Sequence, residues 1–246
     1  MLRIGGLLAL VYAGLCGAMY AAQRQLLFHP TPANGEPVQR LARTDGGHIH
    51  YAEHARPGEH AVLYFGGNAE DPSGAVRALV QAFPGHAVYG LHYRGYAGSV
   101  GEPSEQALRE DAAAWFAHLQ RRHPRITLIG RSLGTALAVR LAAGNEVERL
   151  VLVTPYDSIA AVAASHYPWL PARWLVRDRF EAWRDAAQVR APTLLLLAEQ
   201  DGVTPLHHGH ALHRHFAPGV ARLRTLPGTD HNSIAAHPDY LSSLRQ

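Results

Sequence analysis

The chain has 246 residues, a formal net charge of +3 and one cysteine, Cys16. This length suits a single α/β domain, and the composition is that of a globular protein, which excludes disordered and fibrous classes. One cysteine excludes an internal disulfide. Lysine is absent and arginine is plentiful without forming a dense cluster, which we attribute to coding bias rather than to a surface that binds nucleic acid.

The first predicted element is a helix that spans a membrane. Residues 4–22 are uncharged and mostly apolar, with Arg3 before them and Arg24 after them. That length just suffices to cross a bilayer core of about 30 Å. The alternative is a cleaved signal of a secreted or periplasmic protein, but no small-residue cleavage site follows, and Cys16 lacks the small preceding residue of a lipoprotein signal. We therefore expect residues 1–22 to be an anchor, and positive charge at both ends leaves its orientation open.

A connector and one domain follow. Residues 23–37 contain three prolines and a glycine, which is typical of an extended linker. Residues 38–246 then carry eight segments with the apolar pattern of strands. These predicted strands are 38–43, 48–52, 61–65, 87–91, 126–129, 149–153, 192–198 and 222–226.

Helical segments alternate with most of these strands. The predicted helices are 75–83, 104–122, 135–142 and 233–244. Ser104 has the residue type of an N-cap. Near-continuous apolar strands that alternate with helices predict a mostly parallel sheet covered on both faces. Asp45-Gly46 is a hairpin signal that adds an antiparallel N-terminal edge, so the predicted fold class is α/β.

The segment 166–189 interrupts the alternation and contains Trp169, Trp174 and Trp183. One interpretation is a small lid over the active site, with these aromatic side chains lining an acyl pocket. The other is an ordinary helical insertion whose tryptophans pack inward, because aromatic residues at helical spacing usually belong to a core. The sequence leaves both interpretations open.

A serine flanked by glycines joins a predicted strand to a predicted helix, in Gly130-Arg131-Ser132-Leu133-Gly134. A serine at such a corner is held in a strained turn, with its hydroxyl exposed above the sheet. The glycines are expected because a side chain at either position would strike the strand or the helix. Ser132 is therefore the predicted nucleophile.

The predicted nucleophile requires a general base, and the base requires an orienting carboxylate. In a parallel-sheet hydrolase these groups follow in the order serine, acid, histidine. Asp201 comes in the loop after the strand 192–198 and is the predicted acid. Glu199, nearer the strand end, and Asp157, after an earlier strand, are the alternatives.

The predicted base is His231, because it follows the last predicted strand. His237 is the nearest alternative, but it lies inside the predicted closing helix. His231 would accept the proton of Ser132 during attack and return it to the leaving group. Asp201 would fix the tautomer and stabilise the imidazolium.

The developing oxyanion needs hydrogen-bond donors that are already in place. One predicted donor is the backbone N–H of Leu133, directly after the nucleophile and at a helix N-terminus. The second is the backbone N–H of Asn68, with Ala69 as the alternative, in the loop after the strand 61–65. Gly66-Gly67 would let this loop approach the substrate. The competing interpretation is a plain turn at the end of a strand.

His207, His210 and His213 recur every third residue and could share one face of a helix. The four-residue step from His207 falls on Ala211, and neither cysteine nor a carboxylate joins the cluster. We therefore expect a solvated helix face rather than a metal site, and we expect no cofactor.

Four stretches carry a family resemblance. They are Leu26-Leu27-Phe28-His29-Pro30, Phe65-Gly66-Gly67-Asn68-Ala69, the run from Tyr93-Arg94-Gly95-Tyr96 to Gly101-Glu102-Pro103-Ser104-Glu105, and Gly130 to Gly134. They resemble motifs of the α/β-hydrolase superfamily, and more narrowly of membrane-anchored serine hydrolases related to protein depalmitoylases and lysophospholipase-like enzymes. The resemblance runs from about residue 38 to the end. Gly66 stands where the family usually has histidine, and Ala97 where it usually has glycine.

The resemblance implies hydrolysis of a carboxylic ester or thioester through an acyl-enzyme. The anchor would bring the domain to membrane-associated substrates, so the expected partners are the membrane and a small-molecule or lipid-like acyl substrate or an acylated protein. Two alternatives stay open: a non-catalytic membrane-tethered binding or scaffold module on the same fold, and a peptidase or lipase with the same triad. The glycine at position 66 motivates the first, because losing one oxyanion donor costs about 100- to 1,000-fold in rate.

Overall fold

An eight-stranded sheet runs through the computed structural model, which describes residues 2–33, 35–43 and 45–246, with backbone alone for residues 2 and 3. Met1, Asn34 and Thr44 fall within the predicted anchor, connector and domain and lie outside the described residues. The strands are β1 (Gln39–Ala42), β2 (His48–His54), β3 (His60–Phe65), β4 (Ala87–His92), β5 (Arg125–Arg131), β6 (Arg149–Val153), β7 (Thr193–Ala198) and β8 (Ala221–Leu226).

Helices fill most connections between the strands. They are α1 (Leu2–Leu27), α2 (Pro72–Ala82), α3 (Glu105–Gln120), α4 (Gly134–Gly144), α5 (Ile159–His166), α6 (Ala172–Leu175), α7 (Ala182–Ala186), α8 (Leu206–His213) and α9 (Tyr240–Leu244), with a 3₁₀ helix at Ser233–Ala236. The Ser104 hydroxyl accepts a hydrogen bond from the Ala107 N–H at 3.1 Å, as the N-cap prediction requires.

The sheet has the strand order β1-β2-β4-β3-β5-β6-β7-β8. β1 pairs antiparallel with β2 and β2 with β4, while the remaining neighbours are parallel. Gly46, with a φ of +85°, lies in the turn between β1 and β2, where glycine adopts left-handed backbone without strain. The predicted α/β class, the mostly parallel sheet and its antiparallel N-terminal edge are confirmed.

Both faces of the sheet are covered by apolar side chains. One layer joins the sheet to α3, α4, α7 and α8 through residues such as Trp115 and Leu137. The other joins it to α2 and α9 through residues such as Leu79 and Leu244. All six residues of β7 are buried, which agrees with the continuous apolar run that predicted this strand.

Two predicted elements differ from the structure. The extended connector is wrong for residues 23–27, because α1 continues to Leu27 and ends three residues before Pro30. The closing helix is also wrong as a single element, since its 3₁₀ turn ends at Ala236 and α9 begins only at Tyr240. His237 between them is extended because a residue that precedes proline, here Pro238, avoids the helical region.

The parallel strands β3, β5, β6, β7 and β8 all end at the same edge of the sheet. The loops that follow them contain the predicted oxyanion residue, nucleophile, acid and base. In open α/β sheets this carboxyl edge is where ligands bind. The fold therefore brings chain segments that are distant in sequence to one place.

Candidate active site

Ser132 lies in a strained turn directly after β5. Its φ is +47°, in the left-handed region, and its backbone N–H donates to the Val153 carbonyl at 2.9 Å. A Cβ at Gly130 would lie 2.6 Å from the Gly134 carbonyl oxygen, and a Cβ at Gly134 would lie 2.1 Å from the Phe65 carbonyl oxygen. Both clashes are with backbone, so the predicted steric need for two glycines is confirmed.

A chain of hydrogen bonds connects the three predicted side chains. His231 Nε2 lies 2.9 Å from Ser132 Oγ, and His231 Nδ1 lies 2.9 and 3.0 Å from the two carboxylate oxygens of Asp201. An ionised carboxylate only accepts hydrogen bonds, so Nδ1 carries the proton and Nε2 is free to accept one from the hydroxyl. The exposed fractions of the three residues are 8%, 7% and 8%, in the order Ser132, His231, Asp201.

The alternative residues have other partners. Asp157 accepts at 2.7 Å from Nδ1 of His208, and Glu199 accepts the Gly228 N–H at 2.8 Å. The ring of His237 accepts its hydrogen bond from a backbone N–H at 3.1 Å. The structure therefore brings Asp201 and His231 to Ser132, and their catalytic roles belong to the proposal below.

Asp201 is held by the turn that follows β7. Its carboxylate accepts the N–H groups of Val203 and Thr204 at 2.9 and 2.7 Å and the Thr204 hydroxyl at 2.9 Å. Burial raises the pKa of Asp201, but hydrogen bonds and charge from His231 together with the Thr204 donors outweigh it, so the pKa lies below its usual value. Sequence reasoning missed Thr204, although a threonine three residues after an aspartate is a recognisable turn signal.

The backbone N–H groups of Leu133 and Asn68 point to an oxyanion site. Both residues line one cavity with Ser132. Within the described residues neither N–H donates to another group, whereas the Gly67 N–H donates to Glu70 at 2.6 Å and the Ala69 N–H to the Asn68 side chain at 3.2 Å. This difference favours Asn68 over Ala69 as the second donor.

Glu70 and Arg131 connect three parts of the site and were not found from the sequence. Glu70 accepts from Tyr64 Oη at 2.6 Å, from the Gly67 N–H at 2.6 Å and from Arg131 Nη1 at 2.9 Å. Arg131 Nη2 donates to the His231 carbonyl at 3.1 Å. Burial alone would lower the pKa of Arg131, but the Glu70 charge raises it above its usual value. The pair fixes the oxyanion loop relative to the nucleophile and the base.

The departures from the family pattern have different consequences. A Cβ at Gly66 would make ordinary contacts, 3.4 Å or more, so this loop does not depend on glycine there. The Gly66 carbonyl is held by Tyr93 Oη at 2.7 Å. Ala97, by contrast, has a φ of +47°, a conformation that suits the glycine of the family pattern and strains alanine.

A cavity of about 370 Å³ adjoins Ser132. Its wall is mostly apolar and comes from α1, α5 and the segment 166–189, which we name the lid segment. Lining residues from these elements include Leu27, Ile159, Leu170 and Val176. Such a cleft, with few polar groups close to a nucleophile, is typical of a small-ligand site.

The tryptophans of the lid segment do not line this cavity, so the prediction that they form an acyl pocket is wrong. Trp169 and Trp174 are 52% and 86% exposed, so the inward-packing interpretation is also wrong for them. It holds only for Trp183, which packs against the core and the His215 ring, with centroids 5.5 Å apart. Tyr167 and Leu170 line the cavity instead.

Of the predicted histidine face of α8, His207 and His210 are exposed and His213 is half-buried, and a further histidine of this helix is buried. This buried residue, His208, lies between Asp157 and Ser165, at 2.7 and 3.0 Å. Among the described residues, the group with metal-ligand spacing lies elsewhere, at the amino-terminal ends of the parallel strands: His60, His86 and Glu148, with ligand atoms within 4.8 Å of one another. There His60 and Glu148 form an ion pair at 3.1 Å.

The sequence profile of the α/β hydrolase fold matches residues 60–187. The chain belongs to the α/β-hydrolase family. An uncharacterized protein of Mycobacterium tuberculosis H37Rv is 34% identical, over 94% of this chain and 88% of that protein. The lysophosphatidylserine lipase ABHD12 of Mus musculus is 32% identical over 79% of this chain and 57% of its own length, so this chain spans little more than half of it.

Solved structures share the fold of this α/β hydrolase at low sequence identity. An esterase from Pyrococcus furiosus superposes with a TM-score of 0.71 at 15% identity, covering 89% of this chain and 95% of the esterase. A hydrolase from Pseudomonas aeruginosa gives a TM-score of 0.64 at 22% identity, covering 86% and 98%. The family and its relatives together support hydrolase activity, and the resemblance found in the sequence is confirmed at family level.

Proposed function

We propose that this α/β hydrolase is a serine hydrolase that cleaves carboxylic ester or thioester bonds through an acyl-enzyme. The observation that carries the proposal is the 2.9 Å contact between His231 Nε2 and Ser132 Oγ, continued to Asp201 by Nδ1 at 2.9 Å. A hydroxyl, an imidazole and a carboxylate in this order activate serine on several unrelated folds.

The proposed reaction begins when His231 accepts the Ser132 proton and Oγ attacks the carbonyl carbon of the substrate. The carbonyl oxygen becomes negatively charged and accepts the N–H groups of Leu133 and Asn68. The imidazolium, stabilised by Asp201, then donates its proton to the leaving oxygen or sulfur, and the acyl group stays on Ser132. A water molecule, deprotonated by His231, attacks this ester, and the imidazolium returns the proton to Ser132 Oγ as the acid leaves.

An acyl substrate with lipid character is the proposed substrate class. The apolar wall of the cavity supports it, as does a lysophosphatidylserine lipase among the relatives. We further propose that α1 anchors the protein in a membrane and that residues 38–246 form the catalytic domain. The most apolar 18-residue window of the helix from Ile4 to Leu27 has a mean hydropathy of 1.7 and no buried residue, which supports an anchor.

The proposal is tested by hydrolysis of nitrophenyl esters by the full-length chain. Ser132→Ala is expected to lower kcat by roughly 10⁴- to 10⁶-fold, since it removes the nucleophile. Ser242→Ala, which changes a partly exposed serine whose hydroxyl donates to the Asp239 carbonyl, is the control and should keep wild-type rates. Equal rates for wild type and Ser132→Ala would contradict the proposal and favour the non-catalytic membrane-tethered module.

A further inference from the structure

Helix α1 contacts the lid segment at several residues between Tyr12 and Arg24, which is half of its length. Tyr12 Oη donates to the Trp169 carbonyl at 2.7 Å. Further along the helix, the Arg177 guanidinium lies over the Tyr20 ring, 4.0 Å from its centroid. These contacts join the proposed anchor to a segment that lines the cavity beside Ser132.

The C-terminal end of α1 is fixed to the same segment by polar contacts. Gln23 accepts the Arg177 N–H at 2.7 Å and donates to the Leu175 carbonyl at 3.3 Å. Arg24 forms an ion pair at 2.9 Å with Asp178, whose side chain is 6% exposed. The helix therefore packs on the domain and does not project from it on a loose tether.

This packing limits how the helix enters a membrane. The 26 residues of α1 extend about 39 Å, and the part from Tyr12 to Arg24 that contacts the lid segment takes up about 18 Å of this length. About 15 Å remains before Tyr12. This remainder is half of the bilayer core of about 30 Å. In this arrangement the helix can cross a bilayer only if the lid segment also enters the leaflet that surrounds the C-terminal half of the helix.

The exposed surface of the lid segment suits that environment. Tyr167, Trp169 and Trp174 are 44%, 52% and 86% exposed, and Arg173 and Arg177 are exposed beside them. Trp174 and the two arginines suit the membrane–water interface, where tryptophan concentrates and arginine is attracted to anionic headgroups, and the large apolar ring of Trp169 suits the hydrocarbon beneath it. Along the helix axis the Trp169 contact lies about 18 Å from Arg24, towards the N-terminus. The contact of Leu175 with Gln23 puts its neighbour Trp174 near the level of Arg24.

The helix also supplies a wall of the cavity. Met19, Tyr20, Gln23, Leu26 and Leu27 line it, and Ser132 lies in the same cavity. An acyl chain in contact with Ser132 would therefore run along α1. A cavity of about 370 Å³ lies at the small end of ligand-binding pockets, which suits one acyl chain better than the two chains of a diacyl lipid.

We propose that α1 and the lid segment dock together into one leaflet of a bilayer, and that the cavity takes the acyl chain of a single-chain lipid directly from that leaflet. The acyl transfer rests on the proposed function, whereas the docking does not. α1 is thus both the anchor and part of the acyl-binding site.

Docking is tested by quenching of tryptophan fluorescence in vesicles of phosphatidylcholine and phosphatidylglycerol that carry the full-length protein. Bromine near the glycerol end of the acyl chains should quench Trp174, and bromine near the chain terminus should quench Trp169. Trp169→Phe and Trp174→Phe assign the two signals, and the double variant measures the background from Trp115 and Trp183. Unquenched emission from both Trp169 and Trp174 in both brominated vesicles would overturn the proposal.

The acyl site is tested by Met19→Trp, which fills the cavity from the helix side, with Ala21→Trp on the exposed face of α1 as the matched control. Met19→Trp should lower hydrolysis of a long-chain nitrophenyl ester at least about tenfold relative to the butyrate, while fluorophosphonate labelling continues. An unchanged chain-length ratio would overturn the role of α1. If no protein is labelled but quenching persists, the proposed function fails and the docking stands.

Discussion

Backbone strain is concentrated around the candidate nucleophile. Three residues at the site have left-handed backbone: Ser132, with a φ of +47°, follows β5, and Thr154, with a φ of +46°, follows β6. Ala69, with a φ of +55°, follows Asn68, the proposed oxyanion donor. The surrounding structure must hold such residues, because left-handed backbone costs a residue with a Cβ about 1–2 kcal/mol. Strain at a site is a mark of function when it positions reacting groups, as the turn at Ser132 does.

Ala97 offers a test of strain outside the proposed chemistry. Ala97→Gly should relieve the left-handed strain, partly offset by the entropy of glycine in the unfolded chain, for a net gain of about 0.5–1 kcal/mol. The expected rise in Tm is about 1–4 °C, measured by thermal unfolding in detergent. Ala113→Gly, at an exposed position inside α3, should instead lower stability by about 1 kcal/mol. A lower Tm for Ala97→Gly would show that the strain does not limit stability.

Glu70 is expected to act as a positioning residue. Glu70→Gln removes the charge that holds Arg131 and weakens the acceptor for the Gly67 N–H, so the oxyanion loop loses its fixed position. We expect kcat to fall about 10- to 100-fold with KM little changed, because small displacements of reacting groups have such effects. Glu102→Gln, at an exposed position, is the control. A change confined to KM or to Tm would contradict this role.

The ionisation of Asp201 can be followed directly by the ¹³C resonance of its carboxyl group, assigned with Asp201→Asn. Since the pKa of Asp201 lies below its usual value of about 3.9, the resonance should titrate below that pH. A lowered pKa in the folded state means that the ionised carboxylate stabilises the fold above about pH 4, and that this stabilisation is lost as the pH falls through the folded pKa. A midpoint above 4 would show that burial outweighs the His231 and Thr204 contacts.

At the scale of elements, the accuracy of the sequence prediction depended on how deeply each helix or strand is buried. The strands before Ser132 and Asp201 have nearly continuous apolar runs because they are buried on both faces, so these two residues could be located at strand ends. The strand before His231, β8, lies at the edge of the sheet with only its last residue buried, and its alternating pattern predicted it instead. The short helices inside the lid segment could not be predicted, since α6 has only four residues and no periodic pattern. Glu70 and Arg131 lie 61 residues apart, so only the tertiary fold brings them together.

The turn between β5 and α4 allows a matched test of packing. Gly134→Ala would bring a Cβ against the Phe65 carbonyl, so we expect a loss of about 1–3 kcal/mol in stability and a loss of ester hydrolysis. Gly144→Ala, at the other end of α4, meets nothing within 4 Å and should be neutral or stabilising. Thermal unfolding and ester hydrolysis of both variants measure this contrast. Equal stability of the two variants would contradict the packing of the turn.

At the scale of the whole molecule, the proposed anchor α1 and the candidate site are joined by hydrogen bonds. The Asn68 side chain donates to the Leu27 carbonyl at the end of α1 and accepts the His29 N–H at 2.9 Å and Tyr96 Oη at 2.6 Å. The loop that contains the proposed oxyanion donor is therefore hydrogen-bonded to the helix that is proposed to anchor the protein in a membrane. The contacts of Asn68 with Leu27 and His29 could not be predicted from the sequence, because the connector after residue 22 was predicted to be extended.

The central claim is that the Ser132 hydroxyl becomes a nucleophile through His231 and Asp201. Its most direct test is to treat the full-length protein with a fluorophosphonate and locate the added mass by peptide mass spectrometry. We expect one adduct, on Ser132, that disappears in Ser132→Ala and forms far more slowly in Asp201→Asn. An unmodified Ser132, or an adduct on another residue that persists in Ser132→Ala, would contradict the account.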